Sequence, residues 1–276
     1  MECSCKSIDK VNDFLMSLVR QGNISMLEEY LPSIPNPDQY LNRVFGDEFM
    51  EQCSLLTIAC LNEHINLMRV LIKRFQPDLE IKNDILFGDG HTNRLMCFSA
   101  TILWAAAAID NFDIVKLLVE HGANVNYTTK TNSTPLRSAC YNGNIDMTRY
   151  LIENVISWTN IGCDVNLCDN DGRPPLYEAV SCGSMELVQF LLDHGARNFP
   201  AICDQVSPLI WVAEKKRTSI VNAIRSHCPL IEQLETEELL GTAFVCFDLD
   251  DRDSKHAYEH FTRELELRSI HSLPKT

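Results

Sequence analysis

A leucine opens a similar stretch of sequence six times, at Leu15, Leu56, Leu103, Leu136, Leu176 and Leu209. Two of the intervals, Leu103 to Leu136 and Leu176 to Leu209, are 33 residues. The others are 41, 47 and 40 residues, the same period with insertions of 8, 14 and 7. A repeat of this length constrains the fold strongly. One unit is too small to bury its own apolar face, so the units must stack into a continuous core.

The same offsets recur inside the units. Gly143 and Gly183 follow Leu136 and Leu176 by seven residues and end a first helix where the backbone must turn left-handed. Second helices follow at Ile114-Val115-Lys116-Leu117-Leu118, Met147-Thr148-Arg149-Tyr150-Leu151 and Leu187-Val188-Gln189-Phe190-Leu191, each with one apolar face. His121-Gly122-Ala123-Asn124-Val125-Asn126 and His194-Gly195-Ala196 close two units, and Thr134-Pro135-Leu136 opens one. These are ankyrin features. The outer units are less regular: Gly22-Asn23-Ile24 fits the first turn without a Thr-Pro pair, and Lys216-Arg217 stands where the last unit should carry glycine. End repeats diverge because a cap turns a polar face outward.

The expected fold is all-α: an ankyrin-repeat solenoid of about six helix-turn-helix repeats over residues 8–230. A loop insertion is expected at about 80–99, with tails at 1–7 and 269–276. A hydrophobic fraction of 45% in 276 residues is enough for a stacked core. The longest apolar run, around residues 101–109, is far short of the roughly 20 residues that span a bilayer. The N-terminus has no signal-peptide pattern, so a cytoplasmic or nuclear location is expected. In that setting the twelve cysteines read as reduced thiols, and neither Cys3-x-Cys5 nor Cys163-x4-Cys168 has the spacing of a zinc site.

The segment Thr128-Thr129-Lys130-Thr131-Asn132-Ser133-Thr134-Pro135-Leu136-Arg137 carries a polar run that an ankyrin turn does not obviously need. Here the chain resembles the Fem (feminization) family of ankyrin proteins. The resemblance runs back through Leu103-Trp104-Ala105-Ala106 and forward into Tyr141-Asn142-Gly143 and Arg149-Tyr150-Leu151-Ile152. Beyond the repeats, Glu238-Leu239-Leu240-Gly241-Thr242-Ala243-Phe244-Val245, Asp251-Arg252-Asp253 and Arg263-Glu264-Leu265-Glu266-Leu267-Arg268 are similar to the family's next helix pair. Residues 231–268 are therefore expected as an acidic helical pair resembling the start of a tetratricopeptide-like region.

The resemblance implies a non-catalytic substrate receptor of cullin-two RING ubiquitin ligases that captures proteins by a C-terminal arginine. Carried over by motif, Asp89 stands for the acidic residue of the family's Asn-Phe-Asp-Gly loop, Ser133 for its serine, and Asn142 replaces an acidic residue. A terminal arginine presents five guanidinium donors and a carboxylate acceptor, so its receptor needs both acceptors and donors. Asp89 suits the guanidinium. Ser133 and Arg137 suit the carboxylate, and Trp104 or Tyr141 the apolar stem. A neutral Asn142 weakens the acceptor set by about 1 kcal/mol, several-fold in affinity.

Each residue also has a structural reading. Ser133 and Thr134 suit a helix cap, Asp89 between glycines a turn, Trp104 the core, and Asn142 a helix end. The family's adaptor box is not found in these 276 residues: Leu136-x3-Cys140 has its spacing but opens a repeat. Elongin and cullin two are expected partners only through a box outside this chain. The alternative function is an ankyrin interaction scaffold with no ligase link.

Formal net charge is −14, and residues 231–268 hold eleven acidic and four basic residues. Nucleic acid is a poor partner for such a chain, and a basic peptide a favourable one. Phe87-Gly88-Asp89-Gly90 lacks the Gly-Lys-Ser/Thr ending of a phosphate loop, and no catalytic grouping or cofactor site is legible.

Overall fold

The computed structural model describes residues 2–47, 50–88, 95–153 and 162–197, with residues 219, 220 and 223. Five helix pairs lie among them: α1 (Glu2–Arg20) with α2 (Ile24–Tyr30), α4 (Leu55–Leu61) with α5 (Ile65–Phe75), α6 (Ile102–Ala108) with α7 (Phe112–Glu120), α8 (Pro135–Tyr141) with α9 (Ile145–Glu153), and α10 (Pro175–Cys182) with α11 (Met185–Asp193). A short helix α3 (Pro37–Leu41) follows the first pair. The repeat opening at Leu209, the helical pair expected over 231–268 and the tail at 269–276 lie outside the described residues.

The period places the core correctly. Leu15, Leu56, Leu103, Leu136 and Leu176 are each at most 3% exposed. Seven residues beyond each, the chain takes a positive φ: Gly22, Glu63, Asp110, Gly143 and Gly183 lie between 58° and 78°. Four second helices are then capped alike. Asn23, Asn111, Asn144 and Ser184 accept from the backbone N–H of Met26, Ile114, Met147 and Leu187. In α5 the cap position is His64, which does not cap. Its ring N–H donates to the Arg20 carbonyl at 2.8 Å, closing over Gly22.

Two expectations are corrected. Residues 2–7 are not a tail but the start of α1. No glycine or proline interrupts the chain before Gly22, so nothing stops the helix from extending. The insertion at about 80–99 is not a simple loop either. It supplies β3 (Asn83–Gly88) and β4 (Leu95–Ala100), which join β1 (Val44–Asp47) and β2 (Met50–Ser54) in one antiparallel sheet of order β1-β2-β3-β4. The β3–β4 ladder holds six pairs from Asn83↔Ala100 to Gly88↔Leu95 without a shift. Ile85 and Ala100 are buried on its inner face. Alongside its helical repeats the chain thus carries a sheet.

The chain divides into two compact units, residues 1–138 with 153–163 and residues 139–152 with 164–276. In the first, side chains tie neighbouring repeats: Asn42 Oδ1 accepts from Asp78 N–H, Glu80 Oε1 accepts from Asn124 N–H at 2.7 Å, and Asn126 Nδ2 donates to the Gly162 carbonyl. In the second, Asn166 does the same with Gly195 and Arg197. The closing histidines are structural. His121 and His194 each donate from Nδ1 to the carbonyl four residues back.

Candidate peptide-binding site

The turn before α8 is built by the polar run. The N–H of Asn132 donates to the Thr129 carbonyl and that of Thr129 to the Ser133 carbonyl, both at 3.0 Å, while Asn132 takes a left-handed φ of 62°. Thr129 Oγ1 accepts from the Ser133 N–H and pairs with the Thr131 hydroxyl. Asp169 plays the same part in the second unit, its carboxylate accepting from the N–H groups of Asp171 and Arg173. Thr129 and Thr131 are therefore turn-formers, though the sequence marked their run as surplus to folding.

The helix cap falls to Thr134, whose hydroxyl accepts from the Arg137 N–H at 3.1 Å. Ser133 is thereby left for a different task. Its Oγ accepts the indole N–H of Trp104 at 3.2 Å and an N–H from Arg137 Nη1 at 3.3 Å. Those two bonds use both acceptor positions of the hydroxyl and leave its own proton to donate. Trp104 is 5% exposed and Ser133 3%, so the bonds run in a water-poor setting. The Trp104 ring stacks on Phe98 of β4 with centroids 5.0 Å apart and meets Phe87 of β3 edge-on at 5.6 Å. Trp104 is consequently a buried support for Ser133 and offers no open ring face.

The result is a half-buried guanidinium, that of Arg137, bonded to a serine that the buried Trp104 holds in place. A guanidinium so held suits a carboxylate, which it meets through paired N–H groups. Of the six residues expected at the site, the structure brings together Trp104, Ser133 and Arg137. Tyr141 and Asn142 belong to the second unit. Tyr141 is 49% exposed and Asn142 is exposed in the turn that Gly143 closes. Asp89 lies outside the described residues. Phe87 and Phe98 were not expected; the short apolar runs Ile85-Leu86-Phe87 and Leu95-Met96-Cys97-Phe98 on either side of Asp89-Gly90 are the signal for them.

Other ionisable groups are set by burial. The Cys53 thiol is pushed up to about 12 by burial and then by Asp84, and burial raises Cys60 as well. Glu80 is raised by desolvation against the bond from Asn124 N–H; its Oε2 is buried without a hydrogen-bond partner. Among the described residues no three His, Cys, Asp or Glu side chains are grouped to hold a metal ion. No described helix is long and apolar enough to cross a membrane.

Helix pairs on a 33-residue period with insertions, joined by polar turns, define a repeat solenoid, a fold that serves as a protein-interaction module. A family model described as ankyrin repeats (three copies) matches residues 80–161 and 154–230, more than half the chain, and the protein belongs to the ankyrin-repeat family. It is similar to an ankyrin repeat protein of fowlpox virus, 29% identical over 235 residues, 72% of this chain and 65% of that one. It is also similar to a protein fem-1 homolog A-like of Mus musculus, 30% identical over 158 residues, 57% of this chain and 23% of the mouse protein. The chain thus spans less than two thirds of either relative. Among solved structures, an ankyrin repeat domain from Acinetobacter baumannii matches 77% of this chain and 96% of its own, with a TM-score of 0.59 and 21% identity, a likeness of fold.

Proposed function

We propose that the chain is a non-catalytic substrate receptor of Fem type, serving a cullin-two RING ubiquitin ligase in the cytosol or nucleus. It binds the C-terminal segment of a partner protein, with a terminal arginine as the favoured last residue. One observation carries the reading: the Arg137 guanidinium is held by Ser133, which is itself fixed by the buried Trp104. A cation pre-oriented in this way pays little ordering entropy when a carboxylate arrives. Similarity to fem-1 homologues adds support, across part of the chain.

In this reading Arg137 meets the terminal carboxylate and Asp89 is the charged acceptor for the arginine guanidinium. Ubiquitin transfer belongs to the RING partner and its conjugating enzyme. The test is fluorescence anisotropy with labelled peptides ending in free arginine, free lysine and arginine amide, joined to copurification with elongin and cullin two. Selective binding with copurification supports a receptor. Selective binding without it leaves a peptide binder, and equal binding of all three peptides leaves an ankyrin scaffold.

A further inference from the structure

β3 and β4 fall in the longest of the insertions, the 14 residues by which the interval from Leu56 to Leu103 exceeds the repeat period. An ankyrin unit stacks without such a hairpin. What this hairpin touches is the candidate site. Its register pairs Ile85 with Phe98 and Phe87 with Met96. Residues opposite each other, or two apart along a strand, share a face of the sheet. Ile85, Phe87 and Phe98 therefore stand on one face, and Ile85 on it is buried.

That face holds the indole of Trp104 from two directions. Phe98 stacks on it with ring planes 28° apart, and Phe87 meets it edge-on at 76°. A stacked ring restrains tilt and an edge-on ring restrains rotation in the plane, so the pair sets the direction of the indole. In that direction Nε1–H reaches Ser133 Oγ, which also accepts from Arg137 Nη1. Burial alone would pack the ring; aiming its N–H is the added task.

We infer that Phe98 and Phe87 are positioning residues for ligand binding. The inserted hairpin aims the Trp104 N–H at Ser133, and through Ser133 it orients the Arg137 guanidinium toward a terminal carboxylate. The inference rests on the proposed function, because the direction of Arg137 matters to binding only where a carboxylate is its ligand. Both phenylalanines act through Trp104. A guanidinium that loses this support keeps its charge, and the arriving carboxylate must then order it.

The full chain and its variants would each be titrated with one labelled arginine-ending peptide, as free acid and as amide. Phe98→Leu keeps an apolar side chain and loses the ring face. Its acid preference should fall about three- to tenfold from wild type while affinity for the amide holds. Phe87→Leu makes the same test from the indole edge and serves if Phe98→Leu does not fold. Phe98→Tyr keeps the ring and should keep the preference. A partly unfolded variant loses acid and amide binding together, so the ratio separates aim from stability. In a Ser133→Ala background, Phe98→Leu should change the ratio no further. A ratio unchanged in both leucine variants, an equal fall in Phe98→Tyr, or a further fall in the Ser133→Ala background overturns the inference and leaves the proposed function standing. No acid preference in wild type overturns the proposed function and the inference with it.

Discussion

The indole N–H of Trp104 donates to Ser133 Oγ at 3.2 Å, tying the first helix of one repeat to the turn that opens the next. The same oxygen accepts from Arg137, so one hydroxyl both joins two repeats and seats the cation of the candidate site.

Ser133→Ala removes the acceptor and leaves the Trp104 N–H buried and unbonded. The expected loss of stability is about 1–3 kcal/mol. Trp104→Phe removes the donor too, and in the double variant the two losses should sum to less than their separate values. Urea unfolding of the four proteins checks this. Additive losses would mean the bond contributes nothing of its own.

Glu63 holds the left-handed position that Gly143 and Gly183 hold in their repeats, with a φ of 58°. Such a conformation costs a side-chain-bearing residue about 1–2 kcal/mol, offset in part by the extra unfolded-state freedom of glycine. Glu63→Gly should raise stability by about 0.5–1 kcal/mol despite losing the exposed bond from Asn111. Gly183→Ala should lower it by about 1 kcal/mol. Thermal melts of both variants provide the comparison.

Burial raises the folded-state pKa of Glu80 above its ordinary value. Between those two values the folded chain binds more protons than the unfolded one, so Glu80 makes stability fall as pH rises through the window. In Glu80→Gln that slope should disappear. Stability of variant and wild type would be followed from acid to neutral pH; the variant should gain relative to wild type with rising pH. A parallel pair of curves would remove Glu80 from the account.

At pH 8 a thiol with a pKa of about 12 is ionised roughly once in ten thousand molecules. Iodoacetamide should therefore spare Cys53 and the fully buried Cys60 in the folded chain, and react with the exposed Cys97 and Cys182. Mass spectrometry of alkylated peptides before and after unfolding reads this directly.

Much of the solenoid is legible in the sequence because its signal is periodic: the spacing of Leu56, Leu103, Leu136 and Leu176 suffices to put each in the core. The sheet is less legible because a period of 33 treats any surplus as insertion. Yet Ile85-Leu86-Phe87 before Asp89-Gly90 and Leu95-Met96-Cys97-Phe98 after it are short apolar runs bounded by turn residues, the length of strands and too short for helices. The Thr129 run misleads for another reason. Its counterpart forty residues on is Asp169, a different side chain giving the same oxygen to the same turn, so the shared structural task is hidden by the change of residue. The Trp104–Ser133 bond links residues 29 apart through the stacking of repeats, and no local pattern encodes it. Glu80 likewise meets Asn124 only through that stacking.

The central claim is that Arg137 receives a terminal carboxylate. The most direct measurement compares wild type with Arg137→Gln, each titrated with one arginine-ending peptide as free acid and as amide. Wild type should favour the acid by at least tenfold, and Arg137→Gln should bind acid and amide alike. An acid preference that survives in Arg137→Gln, or none in wild type, would contradict the account.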